Sequence, residues 1–543
     1  MKIDTVQLPF GQPVTEAYIQ RSHPGVEALF GRHAAEPAHW TSRLRWLKEH
    51  AHNRADAGLL ADAMQAYNDR FGCDAAVTAN IEAIRSGAPV IVTGQQAGLW
   101  TGPLLVIHKA VTAISAAREA SAQAGTQVVP VFWIAGEDHD WDEANHALVR
   151  NAATGLTRLS MQRPKGARTA VSRTALSQET LADAVQQLAA TLPDAAFKPE
   201  LIEMLGRFAE RSETLSDLFA HMIGWLFGKA GLVLMDADDA NIRQLEAPMF
   251  GRMLAQSDEL EAAYARSAAS LQAHGFAPQA EVAPGSANLF LFDEGERVLL
   301  HKEGGLFRNR KGTKSWTTEQ LSGWAETEPQ RFSNNVLTRP IMQDYVLPVL
   351  AAVLGPGEIA YWALTGEAFR VLGMDMPVIV PRMSFTLVED KVAKHMHKYG
   401  LSYDEVVFRF SDRRAAWLKE RDEAGIEAGF AAAVAGVEAL YEPLRALTAA
   451  VENGLGDLTE NNLRRIKEQV QYLEKRTQEA HARKYGSALR QLDWIALSLW
   501  PEGKPQERVL NATDFYNRYG RGWIDKLLEV PCDKLGGHYL ITI

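Results

Sequence analysis

Short apolar runs that stop at glycine or at polar residues recur along the first 390 positions. The runs cover residues 90–92, 128–134, 232–235 and 378–380. Between the first two, Leu104, Ile107, Val111 and Ile114 follow the spacing of a helix. Strand, helix and strand in succession predict an open α/β fold with a parallel sheet, whose ligands bind at the carboxyl ends of the strands.

Other segments interrupt or extend this pattern. Residues 1–87 are expected to be mostly helical, 201–229 predicts an amphipathic helix, and 332–354 is also expected to be helical. We assign the sheet core to 1–150, 201–276 and 333–390. Connective insertions are expected at 151–200, which is polar, and at 277–332, which holds short β-like runs. The segment 501–543 is expected to pack back on the core.

The region 391–500 has a different periodicity. Apolar residues separated by alternating four and three positions predict one helical seam, and a second seam follows a glycine-containing turn near 453–457. Pro443 is expected to kink the first helix. Two such helices predict an antiparallel coiled-coil hairpin, which either packs on its own globular body or dimerises. The seam positions are Ile426, Phe430, Ala433, Val437, Leu440, Leu444, Leu447 and Val451, then Leu463, Ile466, Val470, Leu473, Thr477 and Ala480.

Length, charge and cysteine content exclude several classes of protein. A chain of 543 residues is too long for a single core. Its formal net charge of −10 argues against a general nucleic-acid binder. Two cysteines exclude a disulfide framework and a thiolate zinc site. No apolar stretch is long enough for a membrane span, and the start lacks a signal-peptide core, so we expect a cytoplasmic protein without membrane or nucleic-acid partners.

Polar residues after the first strand predict an anion site. Thr93, Gln95 and Gln96 lie in a glycine-rich turn, and Thr101 is expected to cap a helix whose first turn holds Gly102 and Pro103. Free N–H groups at that helix start would bind a phosphate or a carboxylate. The turn matches neither a Walker A loop nor a dinucleotide fingerprint.

A second polar cluster follows the run 128–134. Asp138 and His139 are candidates for acid–base chemistry, because histidine titrates near neutral pH and a neighbouring carboxylate orients it. His139, Glu143 and His146 could share a helical face, which raises the alternative of a metal site, although the HExxH pattern is absent. We predict no metal. A metal-dependent hydrolase using His139, Asp142 and His146 remains the alternative.

Two later segments concentrate hydrogen-bonding groups. Asn334, Asn335 and Arg339 open one predicted helix, and Arg339 could bind a carboxylate through two hydrogen bonds. An N-cap with surface charges explains the same pattern equally well. Glu358 and Tyr361 follow a Gly-Pro-Gly turn, which is compatible with a loop over a ligand, although Gly-Pro-Gly alone indicates only a turn.

Four motifs in order resemble one family: TGQQAGLWTGPL (93–104), PVFWIAGEDHDWDEANH (130–146), SNNVLTRPIMQDYVLP (333–348) and GPGEIAYWA (355–363). They are similar to the cysteine-adding enzymes (cysteine ligases) of bacillithiol biosynthesis, and the resemblance covers the whole chain. It implies a Rossmann-like parallel-sheet core with two inserted connective subdomains and a C-terminal antiparallel coiled coil that forms a homodimer. The implied reaction joins L-cysteine to glucosaminyl-malate.

Candidate residues can then be given expected roles in that reaction. Asp138, His139 and Asp142 are expected to be catalytic, and Arg339 and Arg382 to bind the malyl carboxylates. ATP or ADP is the expected nucleotide, with Lys504, Gln506, Glu507 and Arg508 forming part of its pocket. The family is related in fold to class I aminoacyl-tRNA synthetases, but 101–104 lacks their HIGH histidines and 382–384 lacks their KMSKS lysines. A non-catalytic nucleotide-binding scaffold is a further alternative.

Overall fold

The computed structural model describes residues 3–151, 155–166, 168–452 and 454–543. The chain divides into two compact units, residues 1–387 with 506–543, and residues 388–505. The strands are β1 (Ile3–Val6), β2 (Val90–Gln95), β3 (Val129–Ile134), β4 (His146–Arg150), β5 (Leu156–Ser160), β6 (Val233–Asp236), β7 (Ser286–Asp293), β8 (Glu296–Glu303), β9 (Leu306–Asn309), β10 (Ser315–Trp316), β11 (Phe332–Asn334), β12 (Val349–Leu354), β13 (Val378–Pro381), β14 (Ser384–Val388) and β15 (His538–Thr542).

Helices surround these strands in the first unit and form the second unit. In the first unit they are α1 (Pro13–Gln20), α2 (Pro24–Phe30), α3 (Pro37–Glu49), α4 (Ala57–Arg70), α5 (Ala75–Arg85), α6 (Leu105–Ala124), α7 (Trp141–Ala144), α8 (Gln178–Thr191), α9 (Lys198–Arg211), α10 (Leu215–Phe227), α11 (Ala240–Ala255), α12 (Ser257–Ala273), α13 (Thr318–Thr327), α14 (Arg339–Val346), α15 (Pro356–Trp362) and α16 (Gly366–Val371).

The remaining helices follow in chain order. Those of the second unit are α17 (Asp390–Tyr399), α18 (Tyr403–Phe408), α19 (Phe410–Lys419), α20 (Ile426–Val451), α21 (Leu455–Lys484) and α22 (Gly486–Leu499). The chain then returns to the first unit with α23 (Gln506–Val509), α24 (Ala512–Tyr519) and α25 (Gly522–Leu528).

A five-stranded parallel sheet organises the first unit. Its strand order is β13-β12-β2-β3-β6, and each adjacent pair runs parallel. The strands consist mostly of buried valine, isoleucine and leucine, as expected for a sheet that helices cover on both faces. The predicted parallel sheet is confirmed, and its four predicted apolar runs are β2, β3, β6 and β13.

The strand β12 was not predicted. The segment 332–354 was expected to be helical, but the helix α14 ends at Val346 and the chain passes through Pro348 into the central strand β12. A continuous apolar run has no period that separates a buried strand from a buried helix, and Pro348 is the local signal of the change.

A second, antiparallel sheet lies within the region predicted as the second insertion. Its strand order is β10-β9-β8-β7-β11, and the three β-like runs predicted there correspond to β7, β8 and β9. The region predicted as the first insertion contains β5, which pairs with β4 in a hairpin, and α8. A third sheet of order β1-β15-β14 joins the two ends of the chain.

The turn between β2 and α6 differs from the predicted capped helix. Thr101 does not cap α6, which begins at Leu105. Instead Trp100, Thr101 and Gly102 adopt φ values of 52°, 74° and 68°. A left-handed conformation costs free energy at tryptophan and threonine, so surrounding contacts must hold this turn in place.

A side chain from the end of the chain supplies those contacts. Asn511 Nδ2 donates to the carbonyl oxygens of Trp100 at 2.9 Å and Gly102 at 2.7 Å. Its Oδ1 accepts from the Thr513 amide at 2.9 Å, and the Leu104 amide donates to Leu510 O at 2.9 Å. The residues after the second unit therefore hold the turn that precedes α6.

The second unit contains the predicted helical hairpin. α20 and α21 run antiparallel, and polar side chains of the two helices contact each other. Thr448 Oγ1 lies 2.9 Å from Thr459 Oγ1, and Arg445 Nε lies 2.5 Å from Glu460 Oε1. α20 continues through Pro443. The distal part of the hairpin is thus joined by polar pairs.

The outer part of the first seam lies elsewhere than predicted. Leu440, Leu444, Leu447 and Val451 are exposed by 41–73% rather than enclosed between the two helices. Polar residues occupy the positions of α20 that face α21 in this part of the hairpin. The heptad pattern therefore identified an apolar stripe on α20, but that stripe is not the surface that packs against α21. In the described part of the chain, none of the helices is both long and apolar enough to span a bilayer.

We predict that Asn511→Ala lowers the free energy of unfolding by about 2–4 kcal/mol, because two buried carbonyl groups lose their donor. Urea denaturation monitored by circular dichroism measures the change. Asn241→Ala removes an exposed asparagine of the same unit and serves as the control. Equal unfolding midpoints for the two variants would show that Asn511 does not hold the turn.

Candidate functional site

The parallel sheet gathers polar residues from distant parts of the sequence at one edge. Gln95 ends β2, residues 136–140 follow β3, Asp236 ends β6, Gly355 follows β12 and Arg382 follows β13. The carboxyl ends of parallel strands lie at the same edge of a sheet, which is where open α/β folds bind their ligands. This edge is the candidate site.

A buried lysine that the sequence analysis missed lies at its centre. Lys109 on α6 is 2% exposed, and its Nζ donates to Gly94 O at 2.7 Å and to Gln95 Oε1 at 2.8 Å. The same nitrogen lies 2.5 Å from Glu358 Oε2. A lysine among buried apolar helix positions is a signal that the sequence offered, since lysine is rarely buried without a partner.

Arg339 adds a second cation. Its Nη2 lies 3.5 Å from Glu358 Oε1 and donates a hydrogen bond to the Tyr361 hydroxyl. Burial alone would raise the pKa of Glu358, but the charges of Lys109 and Arg339 outweigh burial and hold that pKa below its usual value. We call Gln95, Lys109, Arg339, Glu358 and Tyr361 the Lys109 cluster; its two cations and one carboxylate leave a net positive charge.

The loop after β3 presents a histidine in a defined protonation state. Arg297 Nη1, from β8, lies 3.1 Å from His139 Nδ1. A guanidinium group only donates, so Nδ1 accepts and the proton of the neutral ring is on Nε2. Burial, together with the charge of Arg297, lowers the pKa of His139 and favours this neutral form. His139 is therefore a hydrogen-bond donor through Nε2.

Asp138 is a partly exposed carboxylate next to His139 in this loop. Its Oδ1 accepts from the amides of His139 at 2.6 Å and Asp140 at 3.2 Å, and its side chain is 41% exposed. Arg297 Nη1 lies 3.8 Å away from the same oxygen. These contacts fix the carboxylate, with Oδ1 3.6 Å from His139 Nδ1, while the partial exposure of the side chain leaves it accessible.

The segment at the end of β11 brings Asn334 next to buried charges. Its amide donates to Glu137 Oε2 at 3.3 Å, and its carbonyl oxygen accepts from Arg297 Nη2 at 2.7 Å. Glu137 also forms a buried ion pair with Arg243. The Asn334 side chain is 2% exposed, and neither Oδ1 nor Nδ2 has a hydrogen-bond partner among the described residues.

A third group lies where β13 ends. Arg382 forms two hydrogen bonds with Glu507, at 2.7 Å and 2.6 Å, and His108 Nδ1 lies 2.7 Å from Glu507 Oε2. Burial favours the neutral acid, but the charge of Arg382 outweighs it and places the pKa of Glu507 well below its usual value. We call His108, Arg382 and Glu507 the His108 cluster.

Several predicted site residues have internal partners. Thr93 Oγ1 donates to Val353 O at 3.0 Å, and Gln96 Nε2 donates to Asp140 O at 3.1 Å. Asn335 Nδ2 donates to Asn288 Oδ1 at 2.7 Å, while its Oδ1 accepts from backbone amides of the following turn. Their roles at this edge are to hold the loops, and a direct contact with substrate stays a prediction for them.

Three other predicted residues, Thr101, Gly102 and Asp142, form no such side-chain bond among the described residues. Thr101 is fully buried and its Oγ1 has no partner among the described residues, whereas Gly102 supplies a left-handed backbone position. Asp142 lies exposed in the first turn of α7.

The residues predicted to bind a nucleotide differ in their surroundings. Gln506 bonds the backbone of Leu387 through Oε1 at 2.8 Å and Nε2 at 3.0 Å. Glu507 is engaged by Arg382 and His108, Arg508 is exposed, and Lys504 belongs to the second unit. The polar atoms of Gln506 and Glu507 are therefore engaged by the protein itself.

The proposed helical face of His139, Glu143 and His146 is absent. α7 spans only Trp141–Ala144, so His139 precedes it and His146 begins β4. Asp140 is the N-cap of this short helix and accepts from the Glu143 amide at 3.2 Å, so the helix begins after His139. Across the described residues, no three histidine, cysteine, aspartate or glutamate side chains converge in a metal-binding arrangement.

Four residues of this edge were not predicted from the sequence: Lys109, Arg297, Arg243 and His108. Lys109 and His108 are adjacent in the sequence, and their place among the apolar residues of a predicted helix was the available signal. Arg297 belongs to the antiparallel sheet and Arg243 to α11. Nothing in their local sequence distinguishes them from surface arginines, because their partners lie far away in the chain.

Comparison with known proteins finds a matching family description for each of two parts of the chain. The description "Bacillithiol biosynthesis BshC, N-terminal Rossmann-like domain" matches residues 1–383, and "Bacillithiol biosynthesis BshC, C-terminal coiled-coil domain" matches residues 385–543. A solved structure titled as a putative arginyl-tRNA synthetase from Campylobacter jejuni matches with a TM-score of 0.21 and 10% identity, over 84% of this chain and 100% of that one. That likeness carries no argument.

Relatives match over the full length. A protein of Geobacillus thermodenitrificans is 37% identical and one of Geobacillus kaustophilus is 35% identical, each over 100% of both chains. A protein of Symbiobacterium thermophilum is 37% identical over 90% of both chains. All three are named "Putative cysteine ligase BshC". The chain has the Rossmann-like and coiled-coil domains of these proteins and belongs to the BshC family of bacillithiol biosynthesis.

Proposed function

We propose that this protein is a ligase that joins the carboxyl group of L-cysteine to the amine of glucosaminyl-malate in the last step of bacillithiol biosynthesis. The observation that carries the proposal is the net positive charge of the Lys109 cluster at the carboxyl edge of the sheet. A malyl group carries carboxylates, and a buried guanidinium and ammonium are the partners that such anions require. The full-length relatives are named as cysteine ligases, which supports a ligase that acts on cysteine.

In this proposal Lys109 and Arg339 bind a malyl carboxylate. Arg339 contributes directional hydrogen bonds and Lys109 contributes a compact charge, while Glu358 keeps both side chains in position. Arg382, also predicted to bind malate, donates two hydrogen bonds to Glu507, so we assign it the role of holding Glu507 in position.

Asp138 and His139 divide the acid–base work. An amine attacks a carboxyl carbon only when it is neutral, so a nearby proton acceptor assists the step. The Asp138 carboxylate takes the proton of the attacking amine. His139 Nε2–H donates to the carbonyl oxygen of the cysteinyl group, where negative charge develops.

The bond changes follow from these roles. The amine nitrogen bonds to the activated carboxyl carbon of cysteine, and the bond to the activating group breaks as that group leaves with the electron pair. ATP is the expected source of the activating group. Gln506 and Glu507, two of the four residues predicted for a nucleotide pocket, are engaged internally, so no step is assigned to a nucleotide held by them.

The direct test mixes purified protein with glucosaminyl-malate and L-cysteine, with and without ATP, and detects the amide product by mass spectrometry. We expect product that depends on both substrates and on ATP. Product without ATP would retain the ligase and remove the nucleotide activation. Folded protein that gives no product under either condition, and binds neither substrate, would contradict the proposal.

We predict that Arg339→Gln weakens binding of glucosaminyl-malate about 10- to 100-fold, because a charge-assisted hydrogen bond to a carboxylate contributes about 1.5–3 kcal/mol. Isothermal titration calorimetry measures the dissociation constant. Arg266→Gln, which removes an arginine whose side chain is 58% exposed, is the matched control. Equal affinity of Arg339→Gln and Arg266→Gln would exclude Arg339 from substrate binding.

We further propose that the coiled coil forms a homodimer. The hairpin joins its helices through polar pairs near its tip and leaves Leu440, Leu447 and Val451 exposed by 70%, 62% and 73%. A contiguous apolar stripe of this kind is typical of an interaction surface.

Replacing both Leu440 and Leu447 with glutamate is predicted to convert a dimer into a monomer, because the interface would have to bury charges. Light scattering coupled to size-exclusion chromatography gives the mass. Leu59→Glu, on α4 and 59% exposed, should leave the mass of the wild type unchanged. A wild-type monomer, or a double variant that still dimerises, would contradict this part of the proposal.

A further inference from the structure

His108 is a buried histidine whose two ring nitrogens have different surroundings. Nδ1 lies 2.7 Å from Glu507 Oε2, whereas Nε2 is buried without a hydrogen-bond partner among the described residues. The side chain is 0% exposed. A buried polar atom without a partner costs free energy, so its presence calls for an explanation beyond packing.

The partners of His108 fix its tautomer. Glu507 is held as a carboxylate by the two hydrogen bonds from Arg382, and a carboxylate only accepts. Nδ1 of His108 therefore carries the proton and donates it to Glu507. Burial lowers the pKa of His108 and favours the neutral ring, so Nε2 presents an unprotonated lone pair.

This arrangement is the opposite of the one at His139. His139 accepts from Arg297 through Nδ1 and has its proton on Nε2, whereas His108 donates through Nδ1 and accepts through Nε2. The protein thus holds one histidine as a donor and the other as an acceptor, and each is fixed by a charged partner from a different part of the chain.

His108 adjoins the Lys109 cluster. It ends the first turn of α6 and directly precedes Lys109, whose Nζ reaches the end of β2. Arg382, which bonds Glu507, is close enough that its charge, like that of Arg339, contributes to the lowered pKa of Lys109 after the larger effect of burial. Arg382 directly follows β13 and bonds Glu507, which contacts His108, so the His108 cluster lies at the same edge of the sheet as the cations.

We propose that His108 Nε2 accepts a hydrogen bond from an N–H or O–H group of the amino-sugar substrate whose carboxylate binds the Lys109 cluster. The inference rests on the proposed function, because that function supplies an amino sugar with hydroxyl and amine donors beside a carboxylate. His108 is then a substrate-recognition residue, and Glu507 and Arg382 are positioning residues that act through its tautomer.

Binding measurements test the contact. His108→Gln should weaken binding of glucosaminyl-malate by about 5- to 100-fold, the effect expected for leaving a substrate donor without its acceptor, and should leave binding of free malate nearly unchanged. His221→Gln, which alters another buried histidine of the first unit, on α10, is the matched control and should bind both ligands as the wild type does.

A spectroscopic measurement on the wild type covers the case in which His108→Gln does not fold. Solid-state ¹⁵N NMR of protein labelled with ¹⁵N-histidine should show a ring protonated at Nδ1 and unprotonated at Nε2, and glucosaminyl-malate should shift that Nε2 signal. A His108 ring protonated at Nε2, or an Nε2 signal that does not respond to bound glucosaminyl-malate, would overturn the inference.

The outcomes separate the two proposals. Wild-type protein that binds neither glucosaminyl-malate nor L-cysteine would remove the proposed function and this inference together. Wild-type protein that binds glucosaminyl-malate with the same affinity as His108→Gln would remove the inference alone and leave the ligase intact.

Discussion

Charges buried at the carboxyl edge of the parallel sheet must be paired, and the architecture of the first unit follows from that requirement. Lys109 pairs with Glu358, Arg243 with Glu137, and Arg382 with Glu507. Removing one partner of such a pair leaves an uncompensated charge and costs about 3–5 kcal/mol, which far exceeds the effect of an exposed ion pair. The pairs therefore restrict where the connecting loops can lie.

The pairing also determines the chemistry available at this edge. A carboxylate held by arginine makes a histidine nitrogen an acceptor at His108, and an arginine placed directly on a histidine makes the other nitrogen a donor at His139. The same residue type therefore presents an acceptor nitrogen at one position and a donor nitrogen at the other. Neither depends on the histidine alone, since the charged partner selects which nitrogen carries the proton.

How much of this could be predicted differs between backbone and side chains. Apolar runs ended by glycine or polar residues were sufficient to predict β2, β3, β6 and β13, because a strand buried on both faces has a distinctive composition. β12 was not predicted, since its apolar run continues from a helix. The Lys109 cluster was predicted in part, through Gln95, Arg339, Glu358 and Tyr361. Pairs such as His108 with Glu507 join residues far apart in the chain, and local periodicity carries no information about them.

The return of the chain from the second unit to the first has a consequence for synthesis on the ribosome. Glu507 and Asn511 are made after the whole coiled coil, yet they neutralise Arg382 and hold the left-handed turn before α6. Until they emerge, the sheet edge contains an unpaired buried cation and a strained turn without its donor. The first unit can collapse early, but its site acquires its final geometry only when the last segment is released, so a truncated chain would lack the site even where its sheet had formed.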